Sequence, residues 1–88
     1  MAEHKATVFT AANFENLSQD MAQGRGEHLA SLATLMGVPA NYQGEFFAMT
    51  QNQYTALIRK GEASPVAMVK AIYDAIATHP VLAQVSTR

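Results

Sequence analysis

The chain has 88 residues, a formal net charge of −1 and neither cysteine nor tryptophan. That length makes one domain, and near-neutral charge gives no electrostatic case for nucleic acid or an anionic membrane as a partner. Zero cysteines exclude a disulfide scaffold, thiolate zinc sites, iron–sulfur clusters and thiol catalysis.

Hydrophobic residues make up 49% of the chain, but 16 of them are alanine and only 27 are larger. One modest core follows. No apolar run approaches the roughly 20 residues needed to cross a bilayer. Met1-Ala2-Glu3-His4-Lys5 lacks a basic region followed by an apolar stretch, so no signal peptide is visible. Alanine, leucine, methionine and glutamine are abundant, and β-branched residues never alternate with polar ones. Val81-Leu82-Ala83-Gln84-Val85 is the nearest thing to a strand; with nothing to pair with, it reads as helix or tail.

The first helix is predicted to start after Thr10 as its N-cap and to run from Ala11 to Ala22 or Gln23. Phe14, Leu17 and Met21 form its apolar stripe. Residues 1–9 read as a flexible lead-in, with Val8 and Phe9 either packing ahead of the helix or belonging to it. Gly24 and Gly26 then break or kink the chain, since glycine costs about 1 kcal/mol relative to alanine inside a helix.

A second helix is predicted over Glu27–Met36, with Leu29, Leu32, Ala33 and Met36 on one face and Leu35 widening it. Glu27 lies in its first turn, where the macrodipole favours a carboxylate. Gly37 is placed at C′, and Pro39 prevents continuation. The stretch from Asn41 to Lys60 reads as two pieces. A short helix reaches about Met49, and a second starts at Thr50, where Thr50-Gln51-Asn52-Gln53 has the capping-box form. The second carries Tyr54, Leu57 and Ile58, and Gly61 closes it behind Arg59 and Lys60.

Ser64-Pro65 announces the last long helix, as an N-cap followed by proline at the first helical position. Val66, Val69, Ile72, Tyr73 and Ile76 repeat along it, flanked by Met68, until His79-Pro80 ends it. A short helical turn from Pro80 to about Val85 follows. The expected fold is all-α: a compact bundle of four or five short helices forming a single domain over residues 1–88.

Charge is mildly uneven. Lys5 and Arg25 against Glu3, Glu15, Asp20, Glu27 and Glu45 leave the first 49 residues at −3. Arg59, Lys60, Lys70 and Arg88 against Glu62 and Asp74 leave the remainder at +2. Differences this small are usually solvated surface.

Few constellations suggest chemistry. Gly24-Arg25-Gly26-Glu27 invites a phosphate-loop reading, because glycines before a helix expose amide donors to an anion. No strand precedes it, no lysine–serine pair follows, and Glu27 puts negative charge where phosphate would sit. A glycine-hinged turn is the better reading. Asp20 and Glu27 share a face only if the helix runs straight through the glycines; Asp20 reads as a cap or ion pair, bonded to Arg25 or to a backbone amide. His4, His28 and His79 lack metal-motif spacing, and Ser18, Ser31, Ser64 and Ser86 lack a nucleophile-elbow context. No metal or cofactor is expected. Phe46, Phe47, Tyr42 and Tyr54 serve either the core or an apolar pocket or partner groove.

The stretch from Ala12 to Glu27, continuing through Leu29, Leu32, Leu35 and Gly37, resembles a bacterial family, domain of unknown function 3015. The likeness rests on the pattern N-x3-L-x2-D-x-A-x-G-x-G-E, met here by Asn13, Leu17, Asp20, Ala22, Gly24, Gly26 and Glu27. Phe46-Phe47 and Gln53-Tyr54 through Ile58 are similar to its following segment, so residues 10 to 60 carry the resemblance. They look like the C-terminal half of the family. The resemblance implies small exported proteins of Gram-negative bacteria, with a signal peptide and a cysteine-containing N-terminal half. Both are missing here, which implies a fragment or a divergent shorter member, periplasmic or exported; a cytoplasmic location is the alternative. It implies no catalytic role for any residue.

The expected function is a non-enzymatic helical interaction or structural module of the bacterial cell envelope. It would meet a protein partner or itself, without nucleic acid and without a transmembrane segment. Candidate binding residues are Asn13, Asp20, Glu27, Phe46, Phe47 and Tyr54. On a structural account, Asn13, Asp20 and Glu27 hydrogen-bond across the glycine kink and fix the angle between helices. The alternative is a small apolar-ligand carrier whose pocket is lined by Phe46, Phe47 and Tyr54. A third reading centres a hydrolase or metal enzyme on Asp20, Glu27 and His28.

Overall fold

A computed structural model describes residues 2–86, with side-chain surroundings from residue 4 onward. Arg88, counted above in the charge of the second half, lies outside the described residues. Seven α-helices and no strand are found among the described residues: α1 Ala2–Ala12, α2 Phe14–Gln23, α3 Glu27–Leu35, α4 Gln43–Asn52, α5 Tyr54–Ala63, α6 Pro65–Thr78 and α7 Leu82–Val85. A 3-10 turn over Ala40–Tyr42 leads into α4. The all-α bundle is as expected, cut into more and shorter helices. Its radius of gyration is 11.2 Å, close to the roughly 12 Å of a folded domain this long.

The expected lead-in is itself helical. Residues 2–12 form α1, and Thr10 lies inside it, fully buried beside Ala6 rather than capping anything. Thr10 and Ala6 let α1 pack closely on α3 and α6. The break falls at Asn13 instead. Both its backbone N–H and its side-chain amide donate to the Phe9 carbonyl, each at 3.0 Å. A side chain that competes for a helical carbonyl in this way ends the helix locally. Because Asn13 turns back to Phe9, it takes no part in the glycine turn.

The Thr10 hydroxyl is buried with no hydrogen-bond partner. An unsatisfied buried hydroxyl costs about 1–3 kcal/mol. Thr10→Val keeps the branched shape and removes the polar atom, so it should raise the unfolding free energy by about 1 kcal/mol. A lower urea midpoint for that variant would show that a partner holds the hydroxyl.

Further along, the helix ends are explained by local chemistry with two exceptions. Gly37 adopts φ 85°, and the Schellman pair is complete: Val38 N–H donates to Ala33 at 3.0 Å and Gly37 N–H to Thr34 at 3.1 Å. Ser64 Oγ accepts from the Ala67 N–H at 3.3 Å, with Pro65 opening α6. The predicted capping box at Thr50 does not form. Thr50 is buried within α4, its hydroxyl donates to the Phe47 carbonyl, and the break comes three residues later at Gln53. Gly61 does not close α5, which runs on to Ala63. A Cβ at Gly61 would stand 2.4 Å from the Phe14 ring and 2.7 Å from the Met68 sulfur. Its missing side chain is what lets α2 and α6 approach α5.

The core contains Leu17, Met21, Leu29, Leu32, Met36, Phe46, Leu57, Met68, Ile72 and Leu82, all essentially without solvent exposure. Helix α6 is its spine, packed by α1, α4, α5 and α7. Val66, expected in its apolar repeat, faces outward and is 52% exposed. His79 ends α6 and then starts α7: its Nδ1 accepts from the Val81 and Leu82 N–H groups, each at 3.1 Å.

Candidate functional site

Asp20, Gly24, Gly26 and Glu27 lie at the turn between α2 and α3, while Asn13 sits at the α1–α2 break and Phe46, Phe47 and Tyr54 lie on α4 and α5. Helix α2 ends in a second Schellman motif: Gly24 adopts φ 80°, its N–H donates to Met21 at 3.2 Å, and Arg25 N–H donates to Asp20 at 3.0 Å. Gly26 follows at φ 149° and ψ 162°, a combination open only to glycine. The chain thereby reverses in three residues and brings the start of α3 against the last turn of α2.

Asp20 is the centre of this turn. Its Oδ2 accepts from the His28 N–H at 3.0 Å and the Leu29 N–H at 3.1 Å. Gly26 occupies the N-cap position of α3 but has no side chain to give. Asp20 therefore caps α3 from the preceding helix, with its charge at the positive end of the α3 dipole. Contact with Gly26 is close enough that a Cβ there would lie 2.0 Å from the Asp20 carboxyl carbon. The two residues fit only as a pair.

The same turn is gripped from outside. Gln51 on α4 donates through Nε2 to the Ala22 carbonyl at 3.0 Å, near the C-terminus of α2. A Cβ on Gly24 would sit 2.8 Å from the Gln51 Oε1. Four of the residues that carry the family resemblance, Asp20, Ala22, Gly24 and Gly26, thus form one helix–turn–helix clasp. Leu17 adds the core contact beneath, and Asn13 sets the α1–α2 break. Glu27 is exposed in the first turn of α3 and takes no part in bonding across the turn. Of the three side chains expected to tie the helices together, Asp20 alone does so.

This geometry bears on each chemical reading. An anion at the N-terminus of α3 would meet the Asp20 carboxylate, which already holds the amides a phosphate needs. His28 Nδ1 stands 4.0 Å from Asp20 Oδ2, outside hydrogen-bonding reach. The His28 ring instead lies beside Phe9, with centroids 6.5 Å apart. Among the described residues, no group of three or more His, Cys, Asp or Glu is arranged to hold a metal ion.

The aromatic candidates divide. Phe46 is fully buried in the core, while Phe47 and Tyr54 are half-buried against it. A cleft of about 230 Å³ lies elsewhere, between α1 and α6, lined by Thr7, Val66, Val69 and Lys70. Val66 in its lining is 52% exposed and Val8 on α1 is 54% exposed, the large apolar side chains most open to solvent among the described residues. Sequence reading missed this face. Val66 fits the α6 repeat by spacing, and only the position of α1 leaves it uncovered.

No described helix is long and apolar enough to cross a membrane. No curated protein and no solved structure matches the chain. A family model, described as "Protein of unknown function (DUF3015)", matches residues 1–86. The match extends the likeness beyond residues 10 to 60 to essentially the whole chain, and gives no support to a correspondence with the C-terminal half of the family alone. From the clasp residues outward, the chain belongs to the DUF3015 family of proteins of unknown function.

Proposed function

We propose that this protein is a non-enzymatic interaction or structural module of the bacterial cell envelope, presenting the α1–α6 face to a protein partner. The observation that carries the reading is the use of its polar candidates. Asp20 bonds two backbone amides and Asn13 a backbone carbonyl. Asp20 is committed to holding α2 against α3, and Asn13 to ending α1. What the fold leaves accessible is a cleft between α1 and α6, lined by Thr7, Val66, Val69 and Lys70, with Val66 open to solvent. The family resemblance, whose members look like exported proteins, supports the envelope location.

Site-specific photo-crosslinking in intact native cells tests this reading. A crosslinking residue at Val66 should give a discrete higher-mass adduct, recovered in the envelope fraction. The same residue at Thr55, exposed on α5, should give none. Equal labelling at both positions, or no adduct at either, would overturn the proposal.

A further inference from the structure

Helix α6 is wrapped by α1, α4, α5 and α7, yet one side of it remains outward. Val66, Lys70, Asp74, Ala77 and Thr78 are exposed along that side, with Ala67 and Ala71 half-buried beside them. The Thr78 hydroxyl turns back to its own helix, bonding the Asp74 and Ala75 carbonyls. Apart from Lys70, Asp74 and Thr78, the face is alanine and valine. Helices apolar on nearly all sides are normally buried on all sides. Neither Lys70 nor Asp74 makes an ion pair within 4.0 Å among the described residues, where His28 with Asp20 is the sole such contact.

We propose that this face seats a second copy of the chain, with the two α6 helices antiparallel about a two-fold axis at Ile72. Resting on the interaction reading above, the proposal adds the identity of the partner. The order of charges carries it. Lys70 and Asp74 are one helical turn apart, so antiparallel pairing about residue 72 sets Lys70 against the partner's Asp74, and Asp74 against the partner's Lys70. A two-fold axis makes both pairs at once. Parallel pairing would instead put like charge against like charge. The same register lays Ala67 against the partner's Ala77, and small residues there let the backbones come close. The cleft at Val66 and Lys70 opens on this side of α6 and adjoins the contact.

The association is weak by construction. A 14-residue helix is only about 21 Å long, and one helix pair buries less than the roughly 800 Å² per partner of a standard stable interface. A dissociation constant between about 10 µM and 1 mM is expected.

Sedimentation of the purified chain from about 10 µM to 2 mM tests this, with circular dichroism confirming that each variant stays helical. Wild type should dimerise as concentration rises, more strongly at low ionic strength. Lys70→Glu and Asp74→Lys each place like charges across the axis twice, and should weaken the dimer about tenfold or more. The double variant K70E/D74K exchanges the partners and should recover most of that loss. A wild-type monomer at about 2 mM, or a double variant as weak as the single ones, overturns the second copy. The cell crosslink separates the two readings. A monomer whose Val66 adduct contains a different protein overturns the second copy alone, and a monomer with no adduct overturns the interaction module as well.

Discussion

Replacing Gly26 with alanine should lower the unfolding free energy by about 4 kcal/mol, the largest loss expected from any single methyl group in this chain. Two effects combine. A non-glycine residue in this region of positive φ costs about 1–3 kcal/mol of backbone strain. The new Cβ would also meet the Asp20 carboxyl carbon at 2.0 Å, displacing the carboxylate and with it a cap worth about 1–2 kcal/mol. A domain this long has a total stability of roughly 4–13 kcal/mol, so a large part of it is at stake. Urea unfolding monitored by circular dichroism gives the measurement. A loss below about 1 kcal/mol would mean that Gly26 and Asp20 are not in the contact described.

Asp20→Ala comes second, at about 2–3 kcal/mol. It leaves the His28 and Leu29 N–H groups without their acceptor and removes a charge from the N-terminus of α3. The melting temperature should fall by about 8–24 °C. Asp20→Asn keeps an acceptor oxygen without the charge and should lose about half as much. The two sites are not independent. With Asp20 already gone, the alanine at position 26 has no carboxylate to strike, so the double variant should be more stable than the sum of single losses by at least about 1 kcal/mol. Strict additivity would refute the clasp as a unit.

Legibility in the sequence followed the range of the interaction. Ser64-Pro65, Gly37 and His79-Pro80 marked their helix ends correctly because proline geometry, positive φ and the serine cap act within a few residues. Asn13 and Gln53 were missed as break points. Asn13 works through a bond back to Phe9 that competes with ordinary helix, and Thr10 drew the boundary wrongly because a good N-cap residue is equally able to be buried. Helix α1 itself stayed hidden because Ala6 and Thr10, not large apolar residues, are what it buries most deeply. Gly61 looked like a terminator since its role depends on the distance to Phe14 and Met68, neither adjacent in sequence.

The candidate site was half legible. The glycine-hinged turn and Asp20 as a cap bonded to backbone amides were readable from types and spacing. Glu27, seven residues from Asp20, looked equal to it and is not, because the turn carries it outward to solvent. Nothing local announced Gln51, which reaches Ala22 from 29 residues away. The α1–α6 cleft depends on how two helices from opposite ends of the chain come together, and spacing within either helix is silent about that.

The capping of α3 from α2 has a consequence for how the molecule opens. A helix that carries its own cap can fray and re-form alone, at a free energy set by its own few residues. Helix α3 has no such autonomy, since two of its first-turn amides, those of His28 and Leu29, are held by a side chain of the helix before it. Separating α2 from α3 uncaps α3, and unwinding α3 strands the Asp20 carboxylate. With Gln51 tying the end of α2 to α4, the three helices form one cooperative unit.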